Sequence, residues 1–187
     1  MAPLLIAALW TAEVPLSEKV VEYARSRLGE QVGDGECTAL AAAALRHAGA
    51  RLRRGSPTPW GEEVDSLRDA RPGDILQFEN AVFVRHRVLE NGGILTTTMT
   101  FDHHTAIIAG VRKRGPRPIL VILHQNVHTA DSDDVDGKVV QQATLNLAEK
   151  RSGSIRVFRP TPMDDENGGD PRAPGRDTRA PGRGVPQ

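Results

Sequence analysis

The sequence predicts an α+β domain, and three features predict it: two helix-period stretches come first, a series of β-like runs follows, and turn-type residues separate the runs. Residues 17–28 place Val20, Val21, Ala24 and Leu28 on one stripe with charges opposite, and Gly29 follows as a stop, so an amphipathic helix is expected. Residues 37–48 are rich in alanine and leucine, carry few charges and end at Gly49, which predicts a buried helix. A short third helix is expected over residues 60–67, after a loop carrying Pro57 and Pro59. The pattern then changes. Arg71-Pro72-Gly73-Asp74 reads as a turn into the run ILQF, and further runs occupy 82–89, 94–101, 105–111, 119–126, 139–142 and 155–159. Asn91-Gly92-Gly93 is a hairpin signal between two of them. Helices first and strands afterwards, joined by short turns, imply an antiparallel sheet packed on the alanine-rich helix.

The chain of 187 residues divides into an apolar N-terminal arm (1–16), one folded domain (17–162) and a Pro/Gly/Arg-rich tail (163–187) in which RAPGR occurs twice. The tail composition predicts disorder, and with no aromatic among its arginines it does not read as a nucleic-acid binder. Twenty-four basic residues balance twenty-four acidic ones, so no overall field draws the chain to nucleic acid or an anionic membrane. The opening MAPLLIAALW lacks a basic n-region and is too short to span a bilayer. It reads either as the remnant of a signal peptide, implying a secreted or periplasmic protein, or as an arm packed on a cytoplasmic one. Oligomeric state has no signature in the sequence.

A single cysteine excludes internal disulfides and a multi-cysteine zinc site. Its position is informative. Gly33-Asp34-Gly35-Glu36 is a flexible approach, and Cys37 then opens a helix, where unpaired N–H groups and the positive end of the dipole favour a thiolate. The bland alternative is a small apolar residue in the core. Gln31, six positions upstream, can aim an amide N–H at an oxyanion beside the N–H of Cys37. A nucleophile needs a base, and His104 shares a strand face with Ala106 and Ile108; the small Ala106 would let a helix approach that face, while His103 points the other way. His124 and Asn126 lie on one face of the strand after the run 119–123, and either could orient the imidazole of His104. His128 is a loop residue, and His47 and His86 read as surface or structural residues.

The segments EQVGDGECTAL at 30–40, RPGDILQF at 71–78, HHTAII at 103–108 and LHQN at 123–126 together resemble the CHAP and NlpC-type branch of papain-like cysteine peptidases and amidases. They are more similar still to the cysteine-proteinase-fold domain at the C-terminus of certain fungal actin-patch, myosin-binding proteins. The resemblance spans roughly residues 17–160 and implies a papain-like fold. It also implies roles: Cys37 as nucleophile, His104 as base, His124 as the orienting residue with Asn126 in support, and Gln31 at the oxyanion. CHAP enzymes usually carry Glu where His124 stands, and NlpC-type enzymes read Asp-Cys-Ser where this chain has Glu36-Cys37-Thr38.

On that reading the chain hydrolyses an amide or peptide bond through an acyl-enzyme, with no cofactor and no metal. A cell-wall peptide is implied only by the bacterial relatives. Two other readings stand beside it. One is a catalytically silent papain-fold binding module. The other is a metal site drawn from His103, His104, His124, His128 and Asp102 or Asp131, against which the adjacent pair 103 and 104 faces opposite sides of a strand.

Overall fold

The computed structural model describes residues 13–53, 55–112, 117–127 and 137–163. The tail expected from residue 163 onward, apart from Met163, and most of the N-terminal arm lie outside the described residues, as do His128 and Asp131. Two helices, α1 (Leu16–Ser26) and α2 (Cys37–Ala48), precede six strands: β1 (Glu62–Val64), β2 (Ile75–Val88), β3 (Ile94–Arg112), β4 (Ile119–His124), β5 (Gln141–Asn146) and β6 (Lys150–Arg159). All strand pairs are antiparallel, in the order β1-β6-β2-β3-β4-β5. The α+β architecture expected from the sequence is the one observed.

Helix α1 buries Val20, Val21 and Ala24 along its inward stripe, with Glu18 in its first turn and Arg25 in its last, as the dipole favours. The Arg25 guanidinium reaches across to donate to the Ala109 carbonyl of β3 at 3.1 Å. Helix α2 buries Leu40, Ala41, Ala44, Leu45 and Ala48, and it stops at Gly49, whose φ of 75° lets its N–H bond back to Arg46. Residues 60–67 do not form the expected helix. Glu62–Val64 pair with β6 instead, and a single 3-10 turn follows at Leu67–Asp69, capped by Ser66. The pairing of Arg156 with Glu63, at 2.7 and 2.8 Å, ties β1 across to β6.

The runs 75–78 and 82–89 belong to one strand, and so do 94–101 and 105–111, so β2 and β3 form a single long hairpin closed at Asn91-Gly92-Gly93. Midway along it, Asn80 takes a positive φ of 47° opposite Gly153 of β6, whose φ is 72°. The β2–β6 register shifts there. Inward residues change phase at this bend, from Leu76 and Phe78 to Ala81 and Phe83, and from Ala106 and His104 to Phe101. The distal half of the hairpin therefore turns over the sheet.

The chain between β5 and β6 fixes the overall curvature. Only Leu147–Glu149 separate Asn146 from Lys150, four residue steps that stretch to about 14 Å. In a flat sheet those strands would stand four spacings apart, about 19 Å. The sheet consequently coils into an open barrel. Arg85 of the hairpin closes its seam, with Nε 3.0 Å from Glu149 and Nη2 3.4 Å from the Thr144 carbonyl of β5.

Coiling gives the sheet two separate cores. One face packs against both helices through Ile75, Ile107, Ala109, Leu123 and Phe158. The other encloses Leu76, Phe78, Phe83, Phe101, Ile108, Leu120 and Ile122 inside the barrel. The turn at Arg71–Asp74 couples the two layers: the Asp74 carboxylate accepts from the Arg71 N–H at 2.8 Å and pairs with Arg159 at 2.9 and 3.0 Å. A Cβ on Gly73 would stand 2.6 Å from Ser17 Cα, so only glycine lets α1 approach so closely.

At Gly153 a side chain would meet the Asn80 carbonyl directly, in a backbone conformation that L-residues disfavour. Gly153→Ala should therefore cost about 2–4 kcal/mol of stability, read as a lower denaturant midpoint at unchanged m-value; a midpoint within error of the parent would contradict the role assigned to this bend.

Candidate active site

Cys37 stands at the first position of α2, half-buried and with its thiol free. No side chain caps the helix start. The approach loop is pinned by Gln125, the residue after β4. Its side-chain oxygen accepts from the Val32 N–H at 3.2 Å, and its amide nitrogen donates to the carbonyls of Val32 and Glu36 at 2.9 and 2.7 Å. Gln125 is fully buried, so these bonds satisfy backbone groups with little access to water. Its neighbour Asn126 donates to the Glu36 carboxylate at 2.8 Å. Two successive residues of one strand end thus fix the residue that precedes Cys37.

Gln31, expected at the oxyanion, is exposed, and its amide nitrogen donates to the Gly33 carbonyl at 3.2 Å. A groove of about 410 Å³ runs beside the outer face of α2, lined by Gly33, Asp34, Thr38, Ala42 and Trp60.

His104 and His124 do meet. His104 Nε2 and His124 Nδ1 lie 3.1 Å apart, with the ring planes at 78°. His104 also stacks on Phe101 with centroids 5.0 Å apart and lies beside Phe78. The two rings are 5% and 3% exposed. Burial pushes His104 down to about 3, with the neighbouring His124 adding to the effect, and pushes His124 down to about 4. Both imidazoles are neutral across the physiological range, which is what a desolvated pair without a carboxylate partner requires.

This pair lies on the barrel side of the sheet. His104 shares its face with Ala106 and Ile108, and His124 shares its face with Leu120 and Ile122, all of them in the barrel core. The helices cover the other face, through Ile107, Ala109 and Leu123. The expectation that the Ala106 face would receive the helix is therefore corrected: α2 packs on the opposite side. No hydrogen bond links Cys37 to His103, His104 or His124 among the described residues. His103, opposite Glu79 in the hairpin, is the histidine whose strand position belongs to the helix face, and it is exposed.

The helix-face positions next to His103 are filled by a closed polar cluster. Thr105 Oγ1 donates to Gln77 Oε1 at 3.0 Å, the Trp60 indole donates to the same oxygen at 3.1 Å, and Gln77 Nε2 donates to the His104 carbonyl at 3.2 Å. Continuing the register Ile107↔Leu123 sets Thr105 opposite Gln125. Gln77, Thr105 and Gln125 were not singled out from the sequence. Gln125 had a signal, since it stands between His124 and Asn126 and must face the other way. The remaining histidines are peripheral: His47 stacks beside Tyr23 at 4.8 Å and His86 meets Thr96 at 3.0 Å. Among the described residues no group of three or more His, Cys, Asp or Glu side chains is placed to hold a metal ion. No helix among them is long and apolar enough to cross a membrane.

The AIM3/BBC1 cysteine proteinase-fold domain matches residues 2–168, nearly the whole chain. The chain belongs to this family. Two helices set against an antiparallel six-stranded sheet are consistent with a cysteine-proteinase-like fold. No curated protein and no solved structure matches the chain.

Two outcomes follow from these contacts. Gln125→Ala strips three backbone groups of their partners at once, and should lower stability by about 3 kcal/mol while loosening the approach to Cys37; thermal melting together with amide exchange at Glu36 and Cys37 reads both, and unchanged exchange would contradict the pinning role. The histidine pair sets a pH response. Unfolded histidines bind protons near 6.5, whereas the folded rings bind them only near about 4 and about 3. Between those limits the unfolded chain holds more protons, so stability falls as pH drops from 6.5, by up to about tenfold in the folding constant per pH unit for each ring. The double substitution His104→Leu with His124→Leu should flatten denaturant midpoints measured between pH 6.5 and 4, and a parent-like slope would refute the assignment.

Proposed function

We propose that this cysteine-proteinase-fold domain acts as a binding module rather than as a hydrolase. What supports the reading is that α2, which Cys37 opens, packs on the helix face of the sheet, whereas the two buried imidazoles share strand faces with barrel-core residues. Hydrolysis by a Cys-His mechanism needs a base within hydrogen-bond reach of the sulfur and able to hold the proton it takes. His104 lacks support on both counts: no hydrogen bond joins it to Cys37 among the described residues, and burial disfavours the imidazolium it would have to become. Gln31, with its amide turned to Gly33, is not aimed at an oxyanion. On this reading the fold supplies a rigid scaffold and Cys37 closes the start of α2 without chemistry.

A second reading keeps a hydrolase acting on a peptide or amide substrate, with His103 in place of His104. It is favoured by the position of His103 on the helix face of β3. Alkylation by iodoacetamide separates the two. For a binding module, Cys37 reacts at pH 6 no faster than a cysteine in a short unstructured peptide, and neither His103→Ala nor His104→Ala changes the rate. A rate at pH 6 about tenfold or more above that peptide, lost in His103→Ala and kept in His104→Ala, would overturn the proposal and establish the Cys37–His103 hydrolase arrangement. Loss in His104→Ala alone would overturn the placement of that ring.

A further inference from the structure

The seam of the barrel holds a cleft of about 350 Å³ between the distal half of β3 and strand β5. Met99, Phe101, Ile122 and Leu145 form its apolar walls, Thr97 stands on its rim, and His124 is the imidazole that lines it. The volume falls at the lower end of the range for small-molecule sites, about 300–1,000 Å³, and the composition is the usual one of apolar walls with a few polar groups.

Two observations say what kind of molecule fits. First, none of the lining side chains carries a full charge at neutral pH: they are Thr, Met, Phe, Ile, Val, Gln, Ala, Leu and a neutral His. A charged ligand group would lose its hydration there, and the cation at the seam, Arg85, is already paired with Glu149. Second, His124 is more than nine-tenths buried and its Nδ1 is taken by His104, whereas Nε2 has no hydrogen-bond partner among the described residues. A ring in this position offers one hydrogen-bonding atom to whatever enters the cleft. His104 behind it, stacked on Phe101, holds the ring in place.

We infer that the seam cleft is a binding site for a small, uncharged, mainly apolar molecule, such as an aromatic alcohol, whose single polar group bonds to His124 Nε2. The site is independent of Cys37, which lies on the other face of the sheet, so it stands whichever way the thiol behaves. A neutral ring fills the space between Met99, Phe101 and Leu145, and its hydroxyl replaces the water that Nε2 would otherwise bind.

The probe is p-cresol, titrated into the full chain and followed by NMR at the Met99 methyl and the His124 ring. Saturable shifts at both positions are expected, with Kd at or below about 1 mM. The anion p-toluate, which carries a carboxylate where p-cresol has its hydroxyl, should bind at least about tenfold more weakly. Thr97→Trp narrows the cleft from an exposed position and should weaken p-cresol binding at least about tenfold, as should His124→Phe, which removes the polar contact; Cys37→Ser should bind like the parent. If His124→Phe does not fold, Thr97→Trp decides the matter. No saturable shift up to about 10 mM, equal affinity for p-toluate, or parent-like binding by Thr97→Trp would each overturn the inference.

Discussion

From His104 to Ala109, strand β3 is buried on both faces, and the whole arrangement depends on how period-two alternation divides those six residues between two cores. Ile107 and Ala109 go to the helices, and His104, Ala106 and Ile108 go to the barrel. Because side chains alternate strictly, a shift of one residue would exchange the two sets. Several contacts hold the phase. Arg25 grips the Ala109 carbonyl from α1, the Asp74 backbone pairs with Ile108, and Gln77 bonds both to Thr105 and to the His104 carbonyl. The consequence at the site is immediate: the residue that faces α2 next to the end of β4 is Thr105, not a histidine.

Coiling of the sheet makes the second core possible. A flat six-stranded sheet with helices on one face would leave Phe78, Phe83 and Phe101 in water. The three-residue link between β5 and β6 and the bend at Asn80 and Gly153 draw the far half of the hairpin over those rings. Once enclosed, the barrel lowers the basicity of any imidazole within it, since nothing ionised is at hand to offset the lost hydration. Two neutral histidines bonded to each other are a stable answer to that environment, because each satisfies one polar atom of the other.

The helices were legible because their signals are local. The apolar stripe of α1, the run of alanine and leucine in α2 and the left-handed stop at Gly49 depend on neighbours in sequence, and Cys37 at the head of α2 follows from them. The hairpin turn at Asn91-Gly92-Gly93 was legible for the same reason. The face of β3 that receives α2 was not. THR-ALA-ILE-ILE-ALA at 105–109 is apolar in both phases, as a strand covered on both sides must be, and a continuous run carries no alternation from which the helix side can be read. Small Ala106 suggested close approach of a helix, but Ala109 is equally small and is the one the helices use. Residues 60–67 failed for a different reason: Glu62–Val64 gain a partner in β6, a tertiary pairing that overrides a weak local preference. The pairing of His104 with His124 was legible from strand order, whereas its side of the sheet was fixed by packing alone.

Fold and chemistry make separate demands on this domain. Placing a thiol at the head of a buried helix needs only a helix, a glycine-rich approach and an anchor such as Gln125; completing a Cys-His pair needs in addition that one particular strand position on the helix face be a histidine. Here that region of the face carries Thr105, whose hydroxyl donates, like the Trp60 indole, to Gln77. His103 sits two residues further along the same face, toward solvent and beyond the reach of the closed cluster. Histidines on the barrel face belong to the other alternation phase of β3 and β4, and any proton they accepted would be held in an apolar interior. The burial that lowers the basicity of His124 also gives the seam cleft an uncharged hydrogen-bonding ring.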